Sequence, residues 1–341
     1  GRIPPVLAGL IALLFVYLIA KELYSPKVGL ISAALFAFSV NHVWISRIAL
    51  QESILIALML AASYVFIRSL QNKKLLIVAA ALVGLAFLAK YNALILAPIF
   101  FTVLAFRRGD YFRTKEFLLG IIAFVVVASP VIIYNIGLYK TLGHFDFQIS
   151  YIVGQHVEAW KDMPGKEAIG SLADRLRNYI PTLVKTNSPI FFTLGLLGTA
   201  LAAWRVLRKN ERKFEHITLF AFILWFAALM LVIGPTYRFL AMLTPWLAIF
   251  AGIFVSFIGK RFLYLSPAAA MLLLVVLLVG EAAYAYNSVI AYSPLGKKFW
   301  TYAAIRSENY NWGYNQLEVF INSELDGKRP EVVIGFDYPV I

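Results

Sequence analysis

Long apolar segments alternate with short polar stretches along most of the chain. A helix that crosses a bilayer needs about 20 mostly apolar residues. The pattern predicts an all-α polytopic membrane protein with about ten transmembrane helices, at roughly 3–20, 28–45, 50–67, 75–89, 91–106, 117–134, 189–204, 217–234, 239–258 and 264–284. The fourth and fifth segments are barely separated and meet at Lys90, Tyr91 and Asn92, so they form either a tight hairpin or a shifted pair.

Basic residues are distributed unevenly between the two predicted sides of the membrane. Sixteen of the 31 Lys and Arg residues fall in the loops after the first, third, fifth, seventh and ninth segments. These loops share one side, and an excess of Lys and Arg marks the cytoplasm. The start of the chain, residues 135–188 and the tail from about 286 are then extracytoplasmic. We expect a multi-pass protein of a prokaryotic plasma membrane with its active face outside.

Composition narrows the classes of function. The chain is 61% hydrophobic and 14% charged, and its mean hydropathy of +0.77 suits a bilayer rather than water. We attribute the net charge of +13 to loops that face water and anionic lipid, and we predict no nucleic-acid partner. The lack of cysteine excludes disulfides, and the wide spacing of the four His residues argues against a histidine metal cluster.

Two regions depart from the apolar pattern. Residues 135–188 are too long for a simple connection, and 172–180 within them read as an amphipathic interfacial helix whose arginines face lipid headgroups. Helix and strand signals in the less apolar tail predict a soluble α/β fold. We therefore expect a transmembrane domain over 1–285, and the start of a truncated extracytoplasmic domain over 286–341.

Four cations lie on the predicted outer side, where the charge rule disfavours them. Arg2 precedes the first segment, Arg47 lies in the turn before the third, Lys90 ends the fourth and Arg238 opens the ninth. Any one of them alone is explained as an interfacial anchor. Together they indicate an anion site, since guanidinium groups bind phosphate bidentately. A lipid-linked phosphate or pyrophosphate at the outer leaflet is the expected anion.

Acidic and aromatic candidates accompany these cations. Glu52 lies five residues after Arg47, so an ion pair that orients Arg47 is the favoured interpretation and a catalytic role is the alternative. Tyr91 and Tyr237 are supporting candidates, and an interfacial position explains Glu281. The acid–base candidates of the outer loop match no motif and are interpreted as solvated charges: His144, Asp146, His156 and Glu158.

Four motifs stand in order at the predicted outer ends of the segments. They are an Arg-x-Pro start at 2–4, a Ser-Arg-x-x-x-x-acid turn at 46–52, a Gly-Leu-x-x-Leu-x-Lys segment at 84–90 and a Tyr-Arg pair followed by Pro at 237–245. Together they resemble the GT-C glycosyltransferases, in particular the protein O-mannosyltransferases and the aminoarabinose lipid A transferases. The resemblance covers nearly the whole chain, with Glu52 where the family commonly has Asp.

The resemblance implies an inverting glycosyltransferase that moves a sugar from a polyprenyl- or dolichyl-phosphate donor to a protein, lipid or glycan acceptor. By this analogy Arg2, Lys90 and Arg238 bind the donor phosphate, while Arg47 and Glu52 support the loop. No cofactor is required, although a divalent metal ion is compatible. The family's catalytic carboxylate is expected upstream of Gly1, so this chain alone is expected to bind donor and catalyse poorly.

Two other interpretations stay open. A transporter or flippase for an anionic lipid or lipid-linked sugar would use the same outer cations, although it commonly carries inverted repeats or charges near mid-membrane, which are not evident. A receptor or structural protein would use the long outer loop, but it leaves the four cations unexplained. An acceptor-dependent transfer assay separates the glycosyltransferase from both.

Overall fold

A computed structural model describes residues 3–48, 50–155, 157, 171–209, 212–263, 266–291 and 319–323. These residues contain helices and turns but no strand. The helices, in chain order, are α1 (Ile3–Leu23), α2 (Pro26–Phe38), α3 (Val40–Ile45), α4 (Gln51–Ser69), α5 (Leu75–Ala89), α6 (Leu96–Arg107), α7 (Lys115–Leu142), α8 (Phe147–Ile152), α9 (Leu172–Lys185), α10 (Pro189–Trp204), α11 (Lys213–Ile233), α12 (Tyr237–Leu240), α13 (Thr244–Leu263) and α14 (Pro267–Ala285).

Each predicted transmembrane segment contains a helix, which confirms the all-α polytopic architecture. Six helices in the described part of the chain are long and apolar enough to cross a membrane, and three shorter apolar ones accompany them. The second segment was predicted as one helix, but the structure divides it into α2 and α3. The backbone of Ser39 is extended between them. There the Ser39 hydroxyl donates to the Phe36 carbonyl oxygen at 2.9 Å, which satisfies one carbonyl at the end of α2.

Side-chain caps explain where several helices begin and where the longest one ends. The hydroxyls of Ser25, Thr114, Ser188 and Ser266 each accept a hydrogen bond from a backbone N–H in the first turn of the helix that follows. Gly143 ends α7 with a left-handed backbone at φ 75°, a conformation that favours glycine. The caps therefore fix the turns that orient successive helices.

The predicted amphipathic segment 172–180 forms most of α9. The side chains of Ser171 and Asp174 make a reciprocal capping box at its start. Arg175, predicted to face headgroups, instead donates at 2.8 and 2.9 Å to two carbonyl oxygens at the end of α11. That part of the prediction is wrong because the unsatisfied carbonyls of a helix terminus offer acceptors closer than lipid.

Small residues let the central helices approach closely. A Cβ atom on Gly198 of α10 would collide with the Phe250 carbonyl of α13, and one on Gly252 of α13 would collide with Ser32 of α2. Such contacts are common where helices pack without a hydrophobic driving force between them. α13 is therefore enclosed, whereas α7 exposes most of its apolar surface, as expected for a helix that faces lipid.

Contacts sort the helix ends into two groups. The five loops predicted to be cytoplasmic are joined to one another by ion pairs, hydrogen bonds and ring contacts, among them Arg68 with Glu22, Arg108 with Leu70, Arg212 with Leu23 and Arg205 with Phe257. A different set of contacts joins the predicted outer ends. This grouping agrees with the alternation of sides that the charge pattern predicts. Which end faces the cytoplasm stays a prediction.

Most of the predicted tail domain, 286–341, lies outside the described residues, of which only 286–291 and 319–323 fall within it. Its α/β fold and the boundary at 285 stay predictions. His156 and Glu158 of the outer loop, and Arg2 at the start of the chain, also lie outside the described residues.

Candidate functional site

A fully buried carboxylate holds two cations at the predicted outer end of the helices. Glu52, in the first turn of α4, has no exposed surface. Its Oε1 accepts hydrogen bonds from Lys90 Nζ at 2.7 Å and from Arg238 Nη2 at 2.9 Å. Burying an ionised carboxylate is costly unless it is paired and hydrogen-bonded. The two cations therefore account for the presence of Glu52 inside the helix bundle.

Local breaks in the helices bring the cations to this carboxylate. Lys90 ends α5 with an extended backbone, and a 3-10 turn follows before α6. Arg238 lies in α12, a single helical turn capped by the hydroxyl of Thr236. Lys90 Nζ also lies 4.8 Å from the centre of the Phe239 ring, within the range of a cation–π contact. The site thus joins the ends of α4 and α5 to the short helix before α13.

The two cations differ in their access to solvent. The Lys90 side chain is 11% exposed, whereas that of Arg238 is 44% exposed. Glu52 takes a hydrogen bond from only one of the three guanidinium nitrogens of Arg238. Two cations and one carboxylate leave a formal excess of one positive charge. An anion in the solvent can therefore reach the guanidinium of Arg238, while Lys90 lies deeper in the site.

A second polar group adjoins the site through Tyr91. The Tyr91 hydroxyl donates to Asp146, and Asn135 Nδ2 donates to the same carboxylate at 2.9 Å. The Asp146 N–H in turn donates to Asn135 Oδ1 at 2.9 Å. Partial burial disfavours the ionised form, but hydrogen bonds from the Ile149 N–H and the Tyr91 hydroxyl outweigh it and hold the pKa of Asp146 below its usual value. The interpretation of Asp146 as a solvated loop charge is wrong.

Arg47 does not form the predicted ion pair with Glu52. Its Nη1 donates at 2.6 Å to the carbonyl oxygen of Val289, in the turn after α14. Glu52 faces α5 and α12 instead, because the first turn of α4 directs it into the helix bundle. Proximity of five positions in sequence was therefore a poor guide to pairing at this helix start.

Sequence reasoning listed Tyr237 but missed two asparagines, Asn41 and Asn135, that lie near the site. The Tyr237 ring meets Trp44 edge-on at 5.1 Å between centroids, and its carbonyl oxygen accepts from Asn41 Nδ2 at 3.1 Å. Asn135 is buried within the apolar helix α7. A polar side chain inside an apolar segment is the signal that would have found Asn41, which lies within the predicted segment 28–45. Asn135 lies just past the predicted segment 117–134, so that signal does not apply to it.

Glu281 is buried in the protein, and its predicted interfacial depth stays a prediction. Glu281 is fully buried in α14 and accepts a hydrogen bond from the Ser188 hydroxyl. Ser188 also caps α10, so the pair links the start of α10 to α14.

No group of three or more His, Asp or Glu side chains that could hold a metal ion occurs in the residues that the structure describes.

Comparison with protein families points to one class. Residues 1–134 match the model of the family described as dolichyl-phosphate-mannose-protein mannosyltransferase. A search of curated proteins found no match.

Similar solved structures extend the comparison to the whole chain. The archaeal oligosaccharyltransferase AglB from Archaeoglobus fulgidus, in complex with an inhibitory peptide and a dolichol-phosphate, is 15% identical with a TM-score of 0.55, over 96% of this chain and 47% of its own. ArnT from Cupriavidus metallidurans, bound to undecaprenyl phosphate, is 14% identical with a TM-score of 0.57, over 96% of this chain and 58% of its own. The Archaeoglobus oligosaccharyltransferase in complex with Zn and sulfate is 18% identical with a TM-score of 0.52, over 98% of this chain and 46% of its own.

The chain therefore spans roughly half the length of these proteins, and at such identities the likeness concerns the fold. The structural likeness agrees with the fold that the resemblance of the outer motifs implies. The chain has the fold of the GT-C membrane glycosyltransferases, and residues 1–134 match the mannosyltransferase family among them.

Proposed function

We propose that this chain is the membrane part of a glycosyltransferase that takes a sugar from a polyprenyl- or dolichyl-phosphate donor and transfers it to a protein, lipid or glycan acceptor. The donor phosphate binds at the predicted outer end, on Arg238 with Lys90 behind it. The family match over 1–134 supports the class of reaction. The dolichol-phosphate bound to AglB and the undecaprenyl phosphate bound to ArnT support the class of donor.

The convergence of Lys90 and Arg238 on one oxygen of Glu52 carries this proposal. Glu52 holds both cations before any ligand arrives, so a phosphate meets donors that are already in place. Pre-ordered charges lose less conformational entropy on binding than free side chains do. Glu52 is thus a positioning residue, and the excess positive charge is left for the ligand.

The chemistry explains why cations are needed here. When the bond between the anomeric carbon and the phosphate oxygen breaks, negative charge develops on the departing lipid phosphate. N–H donors on Arg238 and Lys90 stabilise that charge in a partly buried site, where such contacts are stronger than in water. The proton of the acceptor hydroxyl or amide goes to a general base.

Binding of the lipid phosphate to the full-length protein tests the site. Replacing Arg238 by Gln removes a charge-assisted hydrogen bond from a side chain that is 44% exposed, so the fold is expected to be retained. The Kd for undecaprenyl or dolichyl phosphate in detergent is expected to rise at least tenfold. Arg177→Gln, at an exposed position of α9 on the same side, is the matched control and is expected to leave the Kd unchanged. Equal Kd values for wild type and Arg238→Gln would refute the assignment.

Activity separates the glycosyltransferase from the transporter. The full-length protein in proteoliposomes is expected to transfer labelled sugar from the lipid phosphate to an added acceptor, at a rate that Arg238→Gln lowers. Movement of the donor lipid between leaflets without any transfer would establish the transporter or flippase instead. Because the two cations themselves supply positive charge to the phosphate, donor binding is expected to persist after EDTA treatment.

A further inference from the structure

A second group of cations lines a cavity at the end of the helices opposite Glu52. The cavity has a volume of about 120 Å³, below the range of roughly 300–1,000 Å³ that is typical of sites for whole small molecules. It therefore has room for one small group rather than for a large ligand. It lies where the turn between α1 and α2 meets the ends of α10 and α13. Its polar lining consists of Tyr24, Ser25, Arg205, Arg212, Ser256 and Lys260.

The cations of this cavity differ from other basic residues at the same end. Several of those pair with carboxylates: Arg68 with Glu22, Lys73 with Glu116 and Arg108 with Asp110. Within the described part of the chain, no carboxylate lies within ion-pair distance of Arg205, Arg212 or Lys260. Glu215 is near enough to raise the pKa of Tyr24, after the larger effect of burial, but it does not line the cavity. Among the described residues, the positive charge in the cavity therefore has no carboxylate within ion-pair distance.

Arg212 is held in a defined position. Its Nη1 donates to the Leu23 carbonyl oxygen at 3.1 Å and to the Tyr24 carbonyl oxygen at 3.3 Å, and its guanidinium lies 5.5 Å from the centre of the Tyr24 ring. Its backbone is left-handed at φ 47°, which costs energy for a residue with a side chain and persists only where surrounding contacts impose it. Within the described part of the chain, Nε and Nη2 of the guanidinium make no hydrogen bond and can meet another acceptor.

Arg205 and the hydroxyl groups complete the lining. The Arg205 guanidinium lies 5.1 Å from the centre of the Phe257 ring, a contact that orients its plane without using its N–H donors. Ser25 and Ser256 add hydroxyl groups to the wall. Cations and hydroxyls in a concave site are the donors that bind phosphate oxygens.

We propose that this cavity binds a phosphate group, carried either by the headgroup of an anionic lipid or by a soluble phosphate. The charge pattern predicts that this end lies at the cytoplasmic leaflet, where anionic headgroups are abundant. The cavity and the Glu52 cluster occupy opposite ends of the helices and have no residue in common. The inference does not rest on the proposed transfer reaction.

Equilibrium binding to the full-length, delipidated protein in detergent tests this proposal. The probes are a short-chain phosphatidylglycerol and inorganic phosphate. The double variant Arg205→Gln/Lys260→Gln removes two cavity charges but keeps Arg212, whose carbonyl contacts join the turn between α1 and α2. We expect its affinity for the bound probe to fall at least tenfold. A charge-matched control, Lys74→Gln/Arg113→Gln, changes exposed residues outside the cavity and is expected to bind like wild type.

The two probes distinguish the sources of phosphate. Phosphatidylglycerol binding that only the cavity variant loses assigns a headgroup site, and the same pattern with inorganic phosphate assigns a soluble ligand. Equal affinities of wild type and cavity variant for both probes, or no binding of either probe by wild type, overturn the proposal. Lys260→Gln alone, at an exposed position, gives the same comparison with a smaller loss if the double variant unfolds.

Discussion

Replacing Glu52 by Gln tests whether one buried carboxylate holds the outer cations together. The substitution keeps the shape of the side chain but removes its charge. Breaking a buried pair by removing one partner costs about 3–5 kcal/mol. Arg238, 44% exposed, can turn to water, whereas Lys90, 11% exposed, stays largely buried without its partner. We therefore expect the lower end of that range, about 3 kcal/mol.

The free energy of unfolding of the full-length protein, measured in mixed micelles of mild and denaturing detergent, checks this value. Glu22→Gln serves as the control because the Glu22–Arg68 pair is exposed, with 3.4 Å between its charged atoms. Exposed pairs contribute about 0–1 kcal/mol. The control should therefore lower the free energy of unfolding by less than about 1 kcal/mol.

A double variant isolates the interaction from other effects of the substitution. Glu52→Gln/Lys90→Gln removes the carboxylate and the buried cation together, so it leaves neither one uncompensated. Its loss of stability should be smaller than the sum of the two single losses by at least about 1 kcal/mol. A Glu52→Gln variant within about 0.5 kcal/mol of wild type, the range of neutral surface changes, would refute the reasoning.

Three further predictions concern other parts of the fold. Asp146→Asn should release the segment after α7, which faster amide exchange in that segment would show. Folding lowers the pKa of Asp146, so its ionised form stabilises the fold. In wild type the same release should therefore occur as pH falls below the usual aspartate pKa of about 3.9, and not as pH rises. Gly198→Leu should prevent close packing on Phe250 and lower the yield of folded protein in size-exclusion chromatography, whereas Gly137→Ala, at a position with open space around it, should be neutral. Ser171→Ala removes a capping bond from α9 and should cost about 1 kcal/mol of helix stability, measured by amide exchange in that helix; unchanged exchange would contradict it.

The helices were predictable because the bilayer imposes its own length and polarity on any spanning segment. Charge bias likewise predicted which helix ends lie together, since it acts on whole loops rather than on single contacts. The end of α7 was not predicted. Asn135 read as the first polar residue beyond the segment, but its amide donates to the Val131 carbonyl oxygen and to Asp146, so the helix continues to Leu142.

For the residues of the site, the sequence predicted the side of the membrane but not which cations pair with Glu52. The sequence placed Lys90, Arg238 and Glu52 at one level, but it paired Glu52 with the neighbouring Arg47. The actual partners are 38 and 186 positions away along the chain, and nothing local distinguishes them from other cations at that level. The choice depends on how α4, α5 and α12 pack, which is a property of the tertiary structure.

The same separation bears on how the protein is made. A chain that enters the membrane from its amino end presents Glu52 and Lys90 long before Arg238, which is 186 positions from Glu52. The carboxylate therefore has one counter-charge during early insertion and gains the second only when the late helices arrive. Premature termination between Lys90 and α12 leaves Glu52 with one of its two neutralising partners, so such truncated products carry a polar defect that quality-control proteases of the membrane can detect.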